Sequence, residues 1–185
     1  MSLFGDGLDA AVHKAFTRPV PKSAPAQMRY LVKQFKSTRA VAQMLRISQR
    51  TVERYVKDQI KKPRPDLAAR LEREVKKRWQ PQIRAQARKK AATTGGIVID
   101  TRARIGYTAP IGTTDEDRIR HLTVALPPRY AARLFDAQDQ GASDQQLQRI
   151  AAEALKEAYF QDNGRRAGQL EEVRFTDIEH LEFDL

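Results

Sequence analysis

Residues 38–57 read TRAVAQMLRISQRTVERYVK, and the spacing of their apolar positions organises what surrounds them. Val41 and Leu45 fall on one face of a first helix, Ala42 is small where two helices would cross, Ile47 fills a turn, and Val52 and Tyr55 seat a second helix. This is the apolar skeleton of a helix-turn-helix. The second helix then turns Ser48, Gln49, Arg50, Thr51, Arg54 and Lys57 outward, a set able to meet base edges and phosphates in a major groove, with Gln49 and Arg50 best suited to bases. Arg46 departs from the pattern, because glycine is usual at a turn position where φ tends to be positive.

Working outward, apolar residues recur at three and four spacing from Ala26 to about Ala92: Met28, Leu31, Val32 and Phe35 before the quoted stretch, then Leu67, Leu71, Val75 and Trp79 after it. Prolines at 63 and 65 divide these stretches, Asp66 can cap the later helix, and Pro81 should end or kink it. Lys61 and Lys62 in KKPRPD, with Lys76, Lys77, Arg88, Lys89 and Lys90 in KKRWQPQIRAQARKK, extend the basic character. The last two clusters stand ten residues apart, the look of a bipartite nuclear import signal, although phosphate contact is the simpler reading. Trp79 could stack on an unpaired base, but its place on the Leu67-Leu71-Val75 stripe favours packing.

The 185 residues carry 34 Lys+Arg and 23 Asp+Glu, for a formal charge of +11. The imbalance is uneven: residues 1–90 hold 23 and 7, net +16, and residues 91–185 hold 11 and 16, net −5. A basic half of this size attracts polyanions. The absence of cysteine excludes disulfides and thiolate metal sites, and three dispersed histidines, His13, His121 and His180, leave no cluster to hold a metal. No long apolar run suits a membrane span, and the expected location is the cytoplasm or nucleoid.

Residues 1–25 hold a short amphipathic stretch and then TRPVPKSAP, which suggests an N-terminal arm and extended linker. Residues 26–92 form the basic helical domain, with a boundary near residue 95 where TTGG opens onto the β-branched run Ile97-Val98-Ile99. Residues 93–118 read as an irregular segment. Residues 119–185 read as an acidic α+β module: a strand alternating Leu122, Val124 and Leu126 against His121, Thr123 and Ala125, a helix from Pro128 to about Asp139, and a second helix capped by Ser143. That second helix would turn Leu147, Ile150, Ala151, Leu155 and Tyr159 inward. The tail alternates apolar and acidic residues, as an edge strand or a disordered end would. The fold class expected is α-rich α+β. One strand and two helices are like a ribbon-helix-helix unit, which would pair with a second copy as a homodimer; a simple α+β core is an equal alternative.

Within the irregular segment, IGTTDEDR places Gly112, Thr113 and Thr114 before Asp115, Glu116 and Asp117. Thr113 and Glu116 have capping-box spacing, and acids in a first helical turn complement its dipole. The acids could also bind a shared Mg²⁺ or mimic DNA phosphates, with capping the simplest role.

The blocks MSLFGDGLDAAVHKAFTRP, ISQRTVERYVKDQIKKPRPDLAARLEREVKKRWQPQIR, GYTAPIGTTDEDRIRHLTVALPPRYAARLFDAQ and LEEVRFTDIEHLEFDL resemble the telomere terminal protein (Tpg) family of linear Streptomyces chromosomes and plasmids, over essentially the whole chain. The resemblance implies a protein that caps 5′ ends covalently and primes end-patching synthesis, with a threonine hydroxyl receiving the first deoxynucleotide; the matching residue is Thr114. Thr113, Thr108 and Tyr107 are the neighbouring hydroxyls that could be the acceptor instead. It further implies telomeric DNA with its 3′ overhang, a telomere-associated protein, DNA polymerase and topoisomerase as partners, no tightly bound cofactor, and Mg²⁺ and dNTP brought by the polymerase. The alternatives are a non-covalent helix-turn-helix regulator or partition-like protein, and an enzyme forming its own nucleotidyl bond.

Overall fold

Three serines start the first helices of the helical region. Ser23, Ser37 and Ser48 each sit in extended backbone and accept a hydrogen bond from the amide three residues on, Ala26 N at 3.4 Å, Ala40 N at 3.2 Å and Thr51 N at 3.1 Å. The computed structural model describes residues 2–108, 115–160 and 172–185. The chain is mostly helical with one three-stranded antiparallel sheet, an α-rich α+β architecture. It divides into two compact units, Phe16–Pro81 and Met1–Ala15 with Gln82–Leu185.

The helical unit contains α2 (Ala24–Phe35), α3 (Thr38–Leu45), α4 (Gln49–Val56) and α5 (Pro65–Arg78). Met28, Leu31, Val41, Leu45, Val52, Tyr55, Leu71 and Val75 form its core, with Phe35, Ile47 and Trp79 half-buried against them. Left-handed backbone ends α2 at Lys36 and α3 at Arg46. Helix α5 begins with Pro65 at its first turn, after Arg64, so Asp66 lies inside the first turn rather than at the cap. Trp79 packs edge-on to Tyr30, centroids 4.8 Å apart, and its Nε1 donates to Arg18 O at 3.0 Å. Gln80 Oε1 accepts from Thr17 N at 3.0 Å and its Nε2 donates to Thr17 Oγ1 at 2.9 Å, which ties together the two ends of the unit.

The other unit contains α1 (Leu3–Lys14), α6 (Pro81–Lys90), a π turn over Ala91–Gly95, β1 (Ile97–Thr108), β2 (Asp115–Leu126), α7 (Pro128–Asp139), α8 (Asp144–Leu155), a second π turn over Lys156–Phe160, and β3 (Glu172–Asp184). The strand order is β2-β1-β3, all antiparallel. Gly96 begins β1 at φ +70°, and a Cβ there would stand 2.3 Å from Leu126 O. One sheet face buries Ile97, Ile99, Thr101, Ala103 and Ile105 of β1, Leu122 and Leu126 of β2, and Val173, Phe175 and Phe183 of β3.

Several expectations change here. Residues 3–14 are not part of an arm: Phe4, Leu8, Ala11 and Val12 are buried, and the Phe4 ring meets Phe175 at 5.9 Å and Phe183 at 6.2 Å. The boundary expected near residue 95 falls instead at 81/82, because α6 and its π turn belong with the sheet. The segment 93–118, read as irregular, contains all of β1 and the start of β2, since small Thr101 and Ala103 continue inward the alternation begun by Ile97 and Ile99. Asp115, Glu116 and Asp117 are strand, so they are not the first turn of a capped helix. Strand β2 pairs along its length with β1, which a ribbon-helix-helix strand does not do with its own chain. Tyr159 is exposed rather than inward, lying in the second π turn beyond the end of α8.

Helix α1 is held at its start by a carboxylate from the far part of the chain. Asp144 Oδ1 accepts from Ser2 Oγ at 2.8 Å, Phe4 N at 2.9 Å and Gly5 N at 3.2 Å, and Oδ2 accepts from Leu3 N at 2.9 Å. The Leu3 and Phe4 amides would otherwise be unpaired first-turn donors, Gly5 N is shared with the N-cap Ser2 Oγ at 3.1 Å, and a negative charge also suits that end of the helix. Asp144→Ala should therefore lower unfolding stability by about 1.5–3 kcal/mol, the range for hydrogen bonds to a charged group, read as a shifted urea midpoint by circular dichroism. An unchanged midpoint would show that α1 is held by its apolar face alone.

On the uncovered sheet face, Asp100 gathers groups from all three strands. Thr123 Oγ1 donates to Asp100 Oδ2 at 2.5 Å, and the Nε2 atoms of His121 and His180 lie 3.3 and 3.2 Å from Oδ1. The Thr123 hydroxyl, then the His121 hydrogen bond and the nearby imidazoles, hold the Asp100 carboxyl below its ordinary range against partial burial. A depressed folded-state value gives stability that is present above the unfolded value, about pH 4, and lost as pH falls through the folded one. The melting temperature lost in Asp100→Asn should thus be full at about pH 5 and shrink below about pH 4; a difference constant down to the acid limit would overturn this.

Candidate nucleic-acid interface

An eight-residue helix buries a single stripe. In α4 the buried residues are Val52 and Tyr55, and burial pushes the Tyr55 hydroxyl up from its ordinary value. With those two inward, Gln49, Arg50, Arg54 and Lys57 are exposed. Ser48 is the cap, its Oγ 2.8 Å from Thr51 Oγ1, and Gln49 Nε2 donates to Thr38 Oγ1 at 3.1 Å and Glu53 Oε1 at 3.0 Å. Ser48, Gln49 and Thr51 therefore have partners within the chain, whereas Arg50, Arg54 and Lys57 make no ion pair with a described residue.

The charge around α4 is one-sided. Residues 16–81 hold 18 Lys+Arg and five Asp+Glu. Four of the five acids are taken: Asp58 by Arg29 at 2.7 Å, Asp66 by Arg70 at 2.9 Å, Glu72 by Lys76 at 2.6 Å, and Glu74 by Arg78. That leaves 14 cations of this unit without an ion pair to a described residue, Arg50, Arg54, Lys57, Lys61, Lys62 and Lys77 among them. Exposed pairs of this kind add little stability, but they fix where the unpaired charge remains.

The expected basic set is divided between the two units. Lys76 is paired, and Arg88, Lys89 and Lys90 lie on α6 in the other unit. Arg88 is held there by packing, its guanidinium 3.0 Å from Asp139 Oδ1, 2.9 Å from Phe135 O and 4.6 Å above the Phe135 ring, so it is not free for phosphate. Lys89 and Lys90 are exposed. Arg46, read only as an awkward turn residue, adds an exposed cation just before α4. Trp79 is committed to Tyr30 and Arg18, which removes it as a base-stacking platform.

Of the residues that the resemblance assigns to priming, Gly112, Thr113 and Thr114 lie outside the described residues. The backbone of Asp115, Glu116 and Asp117 begins β2, and the neighbouring Tyr107 packs against Phe160 at 5.5 Å. Among the described residues, no group of three or more acidic or histidine side chains is placed to hold a metal ion, and no helix is long and apolar enough to cross a membrane.

No protein-family model, curated protein or solved structure matches this chain.

The turn before α4 has a testable conformation. Arg46 adopts φ 54°, ψ 50°, and Ile47 N donates back to Ala42 O at 3.0 Å, closing the end of α3. A side chain in this left-handed region is strained relative to glycine. Arg46→Gly should stabilise the protein by about 0.5–1 kcal/mol while weakening binding to any polyanion that touches Arg46. A loss of stability would mean that the Arg46 side chain makes a contact worth more than the backbone strain.

Proposed function

We propose that the protein is a DNA-binding terminal protein of linear bacterial replicons, in which Thr114 accepts the first nucleotide of a new strand. The observation that carries the DNA-binding part is the exposed face of α4. It presents Arg50, Arg54 and Lys57 without an ion pair to any described residue, within a unit holding 14 cations of which the same is true. Helices α3 and α4, joined through Arg46-Ile47-Ser48, serve as the helix-turn-helix, with α4 in the major groove. Arg50 is the base-reading residue, and Arg54, Lys57, Lys61 and Lys62 meet phosphates. Gln49 can exchange its hydrogen bonds to Thr38 and Glu53 for a base edge.

The priming part rests on the resemblance of GYTAPIGTTDEDRIRHLTVALPPRYAARLFDAQ to the telomere terminal proteins. The Thr114 oxygen attacks the α-phosphorus of a dNTP, an Oγ–P bond forms as the bond to the β-phosphate oxygen breaks, pyrophosphate leaves, and the hydroxyl proton passes to solvent or to a base of the polymerase. The polymerase supplies the metal ions that such transfers use. The chain is a stoichiometric acceptor in this scheme, recruited to the overhang with a telomere-associated protein, the polymerase and topoisomerase. Asp115, Glu116 and Asp117 follow the acceptor at the start of β2.

Incubation of the protein with 3′-overhang DNA, polymerase, telomere-associated protein, Mg²⁺ and α-labelled dNTP, followed by peptide mapping, should place label on the Thr114 peptide. Thr114→Val should abolish the label and leave DNA affinity unchanged, whereas Arg50→Ala should weaken binding to the preferred duplex by about 1–3 kcal/mol. Intact DNA binding with no covalent label, in the presence of active partners, would leave a non-covalent DNA-binding regulator.

A further inference from the structure

A second basic feature of the helical unit lies away from the sequence of α4. The start of α2 and the chain between α4 and α5 enclose an open cavity of about 280 Å³, lined on the basic side by Lys22, Lys61 and Lys62. These three lysines come from two separate parts of the sequence, and none makes an ion pair with a described residue. One acid, Glu72, also lines the cavity, but its carboxylate is engaged by Lys76 at 2.6 Å. The helix end contributes little to this charge, because Ser23 Oγ already receives the Ala26 amide and Pro25 has no N–H to offer.

We propose that Lys22 joins Lys61 and Lys62 in this cavity to hold one backbone phosphate of a nucleic-acid strand, beyond the contacts made by α4 itself. Three ammonium groups without an ion pair to a described residue stand around one concavity and favour an anion there, and a phosphate diester brings one negative charge. Lysine suits this task as a mobile point charge that grips phosphate without fixing base identity. The remaining walls argue against a nucleotide bound by its base. Ala24, Pro63 and Ala68 offer no ring for stacking, and the buried Gln27 side chain has its Nε2 committed to Pro21 O at 2.8 Å. The site therefore strengthens binding to any sequence and raises its salt dependence.

This inference rests on the reading of the helical unit as DNA-binding, and the test separates the two. Lysine acetylation of the intact protein, mapped by mass spectrometry with and without a duplex that spans the whole unit, should show Lys22, Lys61 and Lys62 slowed several-fold by DNA together with Lys57. Lys22 is the decisive residue, since it lies far in sequence from α4. In parallel, Lys22→Ala/Lys61→Ala/Lys62→Ala should reduce the slope of log affinity against log salt by about 0.9 for each phosphate the variant no longer neutralises, without changing the preference among sequences. Protection of Lys57 with Lys22 modified at the same rate in both states would overturn the cavity as a phosphate site and leave the α4 reading standing. No salt-dependent binding of duplex by the unaltered protein would overturn both.

Discussion

A three-stranded sheet buries one face only if helices cover all of it, and here part of the cover must come from the other end of the chain. Helices α7 and α8 follow β2 directly, but Phe175 and Phe183 on β3 meet Phe4 of α1. The Asp144 carboxylate then joins the starts of α1 and α8, so that one residue satisfies amides that would otherwise lie unpaired at a packed helix end. Because residues 2–15 are committed to the sheet, the helical unit is an insertion in the other unit's sequence. Its two ends are drawn together by Thr17 with Gln80 and by Arg18 with Trp79. An inserted unit needs such neighbouring ends if the host is to fold around it.

Within the helical unit, the electrostatics and the packing divide the work cleanly. Its core is aliphatic with Tyr55 and half-buried Phe35 and Trp79, and its ion pairs consume nearly every acid while leaving most cations alone. Mutual repulsion among those cations costs the free protein stability, and a polyanion removes that cost as it binds. The α4 face and the lysine-lined cavity differ in how they would use this charge. Arginine with glutamine on a capped helix can discriminate bases, whereas lysines on a concave wall hold a strand in position.

The helical unit was legible in the sequence because each of its helices has a strong stripe and its own punctuation. Met28, Leu31 and Phe35, the prolines at 63 and 65, and the quoted α3–α4 stretch all lie where spacing placed them, and even the positive φ at Arg46 followed from the turn. The sheet was half-legible. Leu122 and Leu126 are buried and their neighbours His121, Thr123 and Ala125 exposed, as alternation required, but β1 was recognised only at Ile97–Ile99. Its inward positions beyond those are Thr101, Ala103 and Ile105, and the buried Thr101 hydroxyl is satisfied by His180 O at 2.8 Å, a partner 79 residues away. The role of α1 was hidden for the same reason: an amphipathic stretch shows that a face will be covered, not by what. For the site, outward residues on α4 could be named from spacing, while Lys22 carried no local signal, since its neighbours in the cavity are some forty residues distant.

The tie between α1 and β3 also orders events during synthesis. Helix α1 leaves the ribosome well before the phenylalanines that cover it, which follow Phe4 by more than 170 residues, a separation that at about 5–20 residues per second takes on the order of 10 to 30 s to make. The helical unit has its own core and all of its segments in hand by residue 81. It can therefore be complete, with its basic face formed, while Phe4, Leu8 and Val12 still wait in water for the sheet. On the proposed function, a nascent chain in that state would meet DNA before its other unit has closed, and a chain cut short before β3 would stay in that state permanently.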